Sequence, residues 1–181
     1  MKGVVSTTVG YAGGTTTNPT YRNMGDHTET LEVEFNQAII SLKDLLDVFW
    51  KSHNPTRGSW SRQYMSIFFY NNDEQKETIM NSKSEFARKT GKKIYTEVAK
   101  LDTFYPAEDY HQKYYLQRIP ELMKELRAIY PDFQDFVKST AAARINGYVG
   151  GYGTLAMLRD EIDDLGLSDN GRKILMKILG K

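Results

Sequence analysis

The order of strand-like and helix-like segments before residue 118 limits the fold more than any other feature. VVSTTVGYA is rich in β-branched residues, and TLEVEF alternates strictly between apolar and polar side chains, so both are predicted strands. Helix, strand, helix and strand patterns follow in SLKDLLDVFWKSH, YMSIFFY, NDEQKETIMNSKSEFARKTG and KIYTEVA. This order predicts an α+β chain folded as a two-layer sandwich.

Local signals refine these predicted elements. The alternation in TLEVEF places Leu31, Val33 and Phe35 on one apolar face, which is typical of a half-buried strand. Ser41, with Asp44 three residues later, is typical of a capping box at the start of a helix. FYPAEDYHQKYYLQR is predicted to be a loop that leads into a further helix.

The last third of the chain has a different pattern. We predict that residues 119–181 form a helical tail on a first domain of residues 1–118. Its helices are interrupted at Pro131, and NGYVGGYG predicts a glycine-rich loop over residues 146–153. The remainder is typical of a helical hairpin, with Ser168 as a cap and Gly180 as the end.

Composition excludes several classes of function. The 24 basic and 23 acidic side chains give a formal net charge of +1, which argues against a nucleic-acid or membrane-surface partner. No apolar run approaches the roughly 20 residues that span a bilayer, and no signal peptide is visible, so we expect a cytoplasmic protein. The chain has no cysteine and three scattered histidines, so we expect no metal site.

Tyrosine-bearing loops are the candidate functional segments. Four short motifs adjoin strand or helix ends, where loops can converge on one side of a layered domain: GYAGG with NPTY, GDHTE, SHNPT with RQYMS, and FYPAEDYHQKYY. Together they offer Tyr21, Glu29, Tyr64, His111 and Tyr114. A dehydrated carboxyl group ringed by tyrosines would have a raised pKa and could donate a proton to an X=O bond that the phenols polarise.

Each of these residues also has a structural interpretation. Glu29 could be a solvated carboxylate at a strand start, Tyr21 could cap a turn, and Tyr64 could be a strand-edge aromatic residue. His111 and Tyr114 could pack on one helix. Trp60 could be a surface anchor or an aromatic wall of the site. Spacing alone leaves these alternatives open.

The motifs carry a family resemblance. In order along the chain, four segments resemble the methionine sulfoxide reductase A family: GVVSTTVGYAGGTTTNPTYRNMGDHTETLEVEF, LLDVFWKSHNPT, QYMSIFFY and YPAEDYHQKYYL. The resemblance runs from about Gly3 to Leu116, and NGYVGGYG is similar to that family's glycine-rich loop. It implies a ferredoxin-like sandwich and the reduction of methionine (S)-sulfoxide, free or in proteins.

The resemblance also implies roles for individual residues. Tyr21 and Tyr64 would hydrogen-bond the sulfoxide oxygen, and Glu29 would donate a proton to it. His111 and Tyr114 would lie near the substrate. No cofactor would be bound, and thioredoxin or another thiol would be the reductant of a cysteine sulfenic acid.

The chain departs from the family pattern at the nucleophile. The family's Gly-Cys-Phe-Trp segment is absent, and Val149 stands where a second cysteine often follows Gly-Tyr. We therefore expect an N-terminally truncated member without its first strand and helix, inactive as a reductase and poorly stable. The alternatives are a non-catalytic relative that binds oxidised methionine or a protein partner, and a structural protein whose helical tail mediates association.

Overall fold

The computed structural model describes residues 1–180, which contain two small sheets and eight helices. The strands are β1 (Val4–Ala12), β2 (Thr28–Phe35), β3 (Ile67–Tyr70), β4 (Glu97–Lys100) and β5 (Phe104–Pro106). The helices are α1 (Leu42–Ser52), α2 (Asp73–Thr90), α3 (Tyr114–Gln117), α4 (Pro120–Ile129), α5 (Phe133–Lys138), α6 (Thr140–Val149), α7 (Leu155–Arg159) and α8 (Asp169–Leu179). Within residues 1–180, no helix combines the length and apolar character needed to cross a membrane.

The first sheet has the antiparallel order β2-β1-β5. Strand β1 pairs with β2 over nearly its whole length, and β5 pairs only with its last part, from Gly10 to Ala12. A Cβ atom at Gly10 would clash with the backbone oxygen of Tyr105 and the ring of Phe104, so the close approach of β5 requires glycine there.

Beyond β5, side chains pair with this edge of β1. The side-chain amide of Gln112 donates to the Val9 carbonyl at 2.9 Å and accepts from the Val9 amide at 3.1 Å. The buried ammonium group of Lys113 donates to the Thr7 carbonyl. The Val9 carbonyl also accepts the Ala107 amide at 2.9 Å. The side chains therefore satisfy chiefly the Val9 amide and the Thr7 carbonyl, which an exposed strand edge would leave unpaired.

The helical tail continues the same edge. The Thr140 hydroxyl, at the start of α6, donates to the Val5 carbonyl at 2.7 Å. Helices α3 to α8 surround the largest hydrophobic core of residues 1–180, whose buried members are Leu116, Leu122, Leu126, Phe136, Val137, Ala142, Ile145, Tyr148, Leu158, Ile162, Leu165, Leu167 and Leu175. The tail is therefore packed onto β1, while the proposed boundary at residue 118 stays a prediction.

The second sheet is the parallel pair β3-β4, which packs against α1 and α2. Its core contains Leu46, Trp50, Ile79 and Ile94. The predicted capping box is present at Ser41, and Gly91 ends α2 in the left-handed conformation.

The mixed α and β character is confirmed, as are the strand and helix order, the break around Pro131, the Ser168 cap and the end at Gly180. The ferredoxin-like sandwich with missing elements is not confirmed, because residues 1–180 hold two separate sheets instead of one.

One local prediction was wrong. Residues 146–149 do not belong to a glycine-rich loop but to the last turn of α6, where the Asn146 side chain accepts the Leu116 amide and Tyr148 is buried. The half-buried character predicted for β2 is found at Val33 and Phe35, whereas Leu31 is 56% exposed and borders an open pocket.

The buried amine of Lys113 makes the stability depend on pH. Burial lowers its pKa from 10.5 to about 8. Between these values the unfolded chain binds more protons than the folded chain, so stability rises with pH. Relative to Lys113→Met, the wild-type free energy of unfolding should therefore rise between pH 8 and 10.5, by roughly 3 kcal/mol at most. Denaturant unfolding across this range measures the difference.

The matched control is Lys124→Met, on the exposed face of α4. Its stability difference from wild type should stay constant over the same range. A constant difference for Lys113→Met as well would contradict the proposed burial of the amine.

Candidate functional site

An open pocket lies on one face of the first sheet. Its volume is ≈ 280 Å³. It is lined by Val9, Gly10, Tyr11, Tyr21, Glu29, Thr30, Leu31, Ala107 and His111. The lining comes from β1, β2, the loop between them and the segment after β5, so residues far apart in the sequence converge here.

The loop between β1 and β2 is held by Asp26. Its carboxylate accepts the Thr15 amide at 2.7 Å and the Thr16 amide at 3.3 Å, and both threonine hydroxyls also donate to it. The Thr15 amide is the largest cause that lowers the pKa of Asp26, which falls to about 2. This carboxylate explains why the loop contains consecutive threonines.

Buried His27 fastens the same loop from the other side. Its Nδ1 accepts the Gly14 amide at 3.2 Å, which leaves the ring proton on Nε2. Nε2 lies 2.7 Å from the Thr16 carbonyl and donates to it. The role of His27 is therefore to shape the loop that carries Tyr21.

Glu108 positions Tyr21 from the segment after β5. One carboxylate oxygen accepts the Tyr21 amide at 3.0 Å, and the other accepts the phenol of buried Tyr11 at 2.7 Å. Burial by itself would raise the pKa of Glu108, but these hydrogen bonds outweigh it and lower the pKa. Burial and then Glu108 raise the pKa of the Tyr11 phenol.

His111 packs against Tyr21, with 4.8 Å between the ring centroids. The Nε2 atom of His111 is buried and has no hydrogen-bond partner within residues 1–180. The structure therefore brings His111 and Tyr21 together at the rim of the pocket.

Glu29 lies on β2 beside Gln63 and Tyr64. The Gln63 side-chain amide donates to Glu29 Oε1 at 2.8 Å, and the Glu29 amide donates to the Gln63 carbonyl at 3.0 Å. The Tyr21 phenol is the largest cause that raises the pKa of Tyr64, ahead of burial and Glu29. Tyr21, Glu29 and Tyr64 thus form one cluster at the pocket.

The expected dehydration of the carboxyl group is not found. Glu29 is exposed, Tyr21 is 43% exposed and Tyr64 is 48% exposed. No residue within 1–180 covers this side of the pocket, so the described chain leaves the cluster in contact with solvent.

Trp60 and Tyr114 lie outside the pocket lining. Trp60 is 86% exposed, and its ring lies 5.5 Å from that of Tyr64, so it extends the cluster outward. The Tyr114 ring instead contacts Tyr115 and Arg118 on the same short helix. The structure brings Trp60 to the cluster and does not bring Tyr114 there.

Sequence reasoning missed Gln63 and Glu108. Both lie inside the quoted motifs, but their partners Glu29 and Tyr11 are 34 and 97 positions away. Spacing could not reveal these pairs. The described residues 1–180 contain no group of histidine, aspartate and glutamate side chains that could hold a metal ion.

Two related sequence families match this chain. A family described as peptide methionine sulfoxide reductase matches residues 1–144. A second, described as the helical domain of selenoprotein methionine sulfoxide reductase A, matches residues 133–179. The two matches overlap and together run from the first sheet to the end of α8.

Relatives and solved structures agree with these matches. Peptide methionine sulfoxide reductase of Drosophila melanogaster is 42% identical over 174 residues, which cover 95% of this chain and 70% of the relative. Peptide methionine sulfoxide reductase A5 of Arabidopsis thaliana is 39% identical, and the match covers 82% of this chain but 60% of the relative. The chain therefore spans only part of its relatives.

Two solved structures share the fold. Reduced Mxr1 from Saccharomyces cerevisiae has a TM-score of 0.59 and 31% identity, with 66% of this chain and 74% of that chain covered. Methionine sulfoxide reductase A of Corynebacterium diphtheriae has a TM-score of 0.55 and 31% identity, with 65% of each chain covered.

The Asp26 carboxylate predicts an acid-dependent opening of the loop. Its folded pKa of about 2 lies below the ordinary value of 3.8. The hydrogen bonds to Thr15 and Thr16 should therefore be complete above pH 3.8 and lost as the pH falls through 2. The amide NMR signals of these threonines should titrate with a midpoint near that lower value. Asp26→Asn should abolish the titration.

Asp73→Asn, in the first turn of α2, is the matched control and should leave the threonine titration unchanged. A midpoint at or above 3.8 in the wild-type chain would contradict the loop geometry described for Asp26.

Proposed function

Because the chain belongs to the peptide methionine sulfoxide reductase family, we propose that its pocket binds the oxidised side chain of methionine (S)-sulfoxide, free or in a protein. Family membership supports methionine sulfoxide reduction as the activity of the complete site. The observation that carries the proposal is the convergence of Tyr21, Glu29 and His111 in one pocket, with Tyr64 beside them.

In this proposal the phenols of Tyr21 and Tyr64 donate hydrogen bonds to the sulfoxide oxygen, and Glu29 delivers a proton to it. The Tyr64 phenol can serve as a donor because a phenol is protonated at neutral pH, and its contact with Tyr21 shifts the pKa of Tyr64 further upward. Donors aimed at an oxygen on which negative charge develops are the usual means of stabilising such a transition state.

The remaining candidates have supporting roles in the proposal. His111 packs against Tyr21 and restricts its ring. Trp60 offers an exposed aromatic face to the methyl group or to residues next to the oxidised methionine. Tyr114 lies outside the pocket lining and its ring contacts Tyr115 and Arg118, so it makes no direct contact with the substrate in this proposal.

Turnover requires a sulfur nucleophile. A cysteine thiolate attacks the sulfoxide sulfur, the S–O bond breaks with transfer of oxygen to the cysteine, and methionine leaves after protonation. Two electrons from thioredoxin or another thiol then reduce the sulfenic acid and release water. Hydroxyl side chains do not accept oxygen in this way, and this chain contains no cysteine.

The absence of cysteine also favours a second candidate function. A non-catalytic relative that binds oxidised methionine or a protein partner would need the oxygen-binding residues without a thiol. The exposed cluster of Tyr21, Tyr64 and Trp60 supports this alternative, because aromatic residues with polar tips are enriched at interfaces.

Binding tests the proposal directly. N-acetyl-methionine (S)-sulfoxide methylamide should perturb the NMR signals of Tyr21, Glu29 and Tyr64 more strongly than the methionine analogue does. Tyr64→Phe should weaken sulfoxide binding by about three- to tenfold, because one hydrogen bond is lost. Equal binding of sulfoxide and thioether by the wild-type chain would overturn the proposed function.

The control for the phenol variant is Tyr152→Phe, which removes an exposed hydroxyl outside the pocket. It should leave sulfoxide binding unchanged. The (R)-sulfoxide should bind less tightly than the (S)-sulfoxide. When the methyl groups of the two ligands occupy the same position, the oxygen of the (R)-sulfoxide points away from the phenols of Tyr21 and Tyr64.

Turnover gives a separate prediction. With dithiothreitol as reductant, this chain by itself should release no methionine from the (S)-sulfoxide, because it supplies no thiolate. Liquid chromatography of the product measures this. Methionine release above that of a no-protein control would refute the thiol mechanism.

A further inference from the structure

Gln63 forms two hydrogen bonds with Glu29. Its backbone amide donates to the Gln63 carbonyl at 3.0 Å, and its carboxylate Oε1 accepts the Gln63 side-chain amide at 2.8 Å. The backbone hydrogen bond fixes the position of the Glu29 main chain relative to Gln63, and the side-chain hydrogen bond fixes the Glu29 rotamer. Together they restrict the carboxyl group to one orientation.

The side-chain contact also makes the two carboxyl oxygens different. An amide N–H can only donate, so Oε1 must act as an acceptor toward Gln63. No hydrogen bond is made to Oε2 within residues 1–180. When the carboxyl group carries a proton, this arrangement places the proton on Oε2, the oxygen that is free to meet a ligand.

Gln63 is itself well anchored. The preceding Arg62 donates from its guanidinium group to the carbonyls of Asp26 and Gly13, each at 3.0 Å. The Arg62 carbonyl accepts the Thr28 hydroxyl at 2.9 Å. Gln63 therefore rests on a segment tied to both ends of the loop between β1 and β2, and it can impose its geometry on Glu29.

We infer that Gln63 is a positioning residue that aims Glu29 Oε2 at the sulfoxide oxygen. The inference rests on the proposed function, since it assigns to Gln63 the orientation of the proposed proton donor. The next residue, Tyr64, donates a hydrogen bond to the same sulfoxide oxygen. Two adjacent residues therefore serve the oxygen: Gln63 orients the Glu29 carboxyl group, and Tyr64 provides a phenol donor.

Gln63→Met tests the inference because it keeps side-chain length and removes the N–H donor. The measured quantity is the ratio of the affinities for N-acetyl-methionine (S)-sulfoxide methylamide and its thioether analogue. This ratio should fall about three- to tenfold, the usual effect of losing one hydrogen bond. Gln134→Met, an identical change at an exposed site on α5, should leave the ratio unchanged.

A double-mutant cycle separates positioning from simple stabilisation of the loop. In a Glu29→Ala background there is no carboxyl group to orient, so Gln63→Met should have no further effect on the ratio. An equal loss in both backgrounds would show that Gln63 acts without Glu29 and would overturn the inference.

The outcomes also distinguish the inference from the proposed function. The inference fails and the proposed function stands under three conditions together: wild type prefers the sulfoxide, Glu29→Ala removes this preference, and Gln63→Met retains it. If wild type has no preference, both fail. If Gln63→Met does not fold, the wild-type chain provides the test. The side-chain amide NMR signals of Gln63 should shift when the sulfoxide is added but not when the thioether is added. Unchanged signals would refute the inference.

Discussion

The edge of β1 that faces the helices is the feature on which the rest of the structure depends. Its carbonyls at Val5, Thr7 and Val9 accept hydrogen bonds from side chains, and Val9 also accepts the backbone amide of Ala107 directly after β5. The side-chain donors are Thr140, Lys113 and Gln112. Because buried or edge backbone groups must find partners, this series of contacts joins the helical tail to the sheet without a further strand.

The pocket follows from the same strand. Tyr11 at the end of β1 donates to Glu108, and Glu108 also accepts the amide of Tyr21. Gln112, which pairs with β1, lies one residue after His111, whose ring packs on Tyr21. A change that loosened the β1 edge would therefore displace the candidate site as well as the tail.

Local signals in the sequence predicted most single elements, because their causes are local. The β-branched run gives β1, Ser41 caps α1, and Gly91 ends α2. Contacts between distant residues were not predictable. The side chains that hydrogen-bond to β1 lie more than 100 positions further along the chain. Periodicity also cannot show whether β3 joins the first sheet. For the candidate site, motif resemblance pointed to Tyr21, Glu29 and Tyr64, which stay predictions as site residues. The contacts of Gln63 and Glu108 join distant positions and could not be predicted from spacing.

The exposure of Glu29 bears differently on the two parts of the proposed function, which are recognition of the sulfoxide oxygen and transfer of a proton to it. A phenol is protonated at neutral pH whether it is buried or exposed, so the exposure of Tyr64 does not prevent it from donating a hydrogen bond. A carboxyl group donates a proton near pH 7 only when its charged form is disfavoured, chiefly by removal from water. Glu29 is exposed here, so recognition of the oxygen can precede the burial that proton transfer requires.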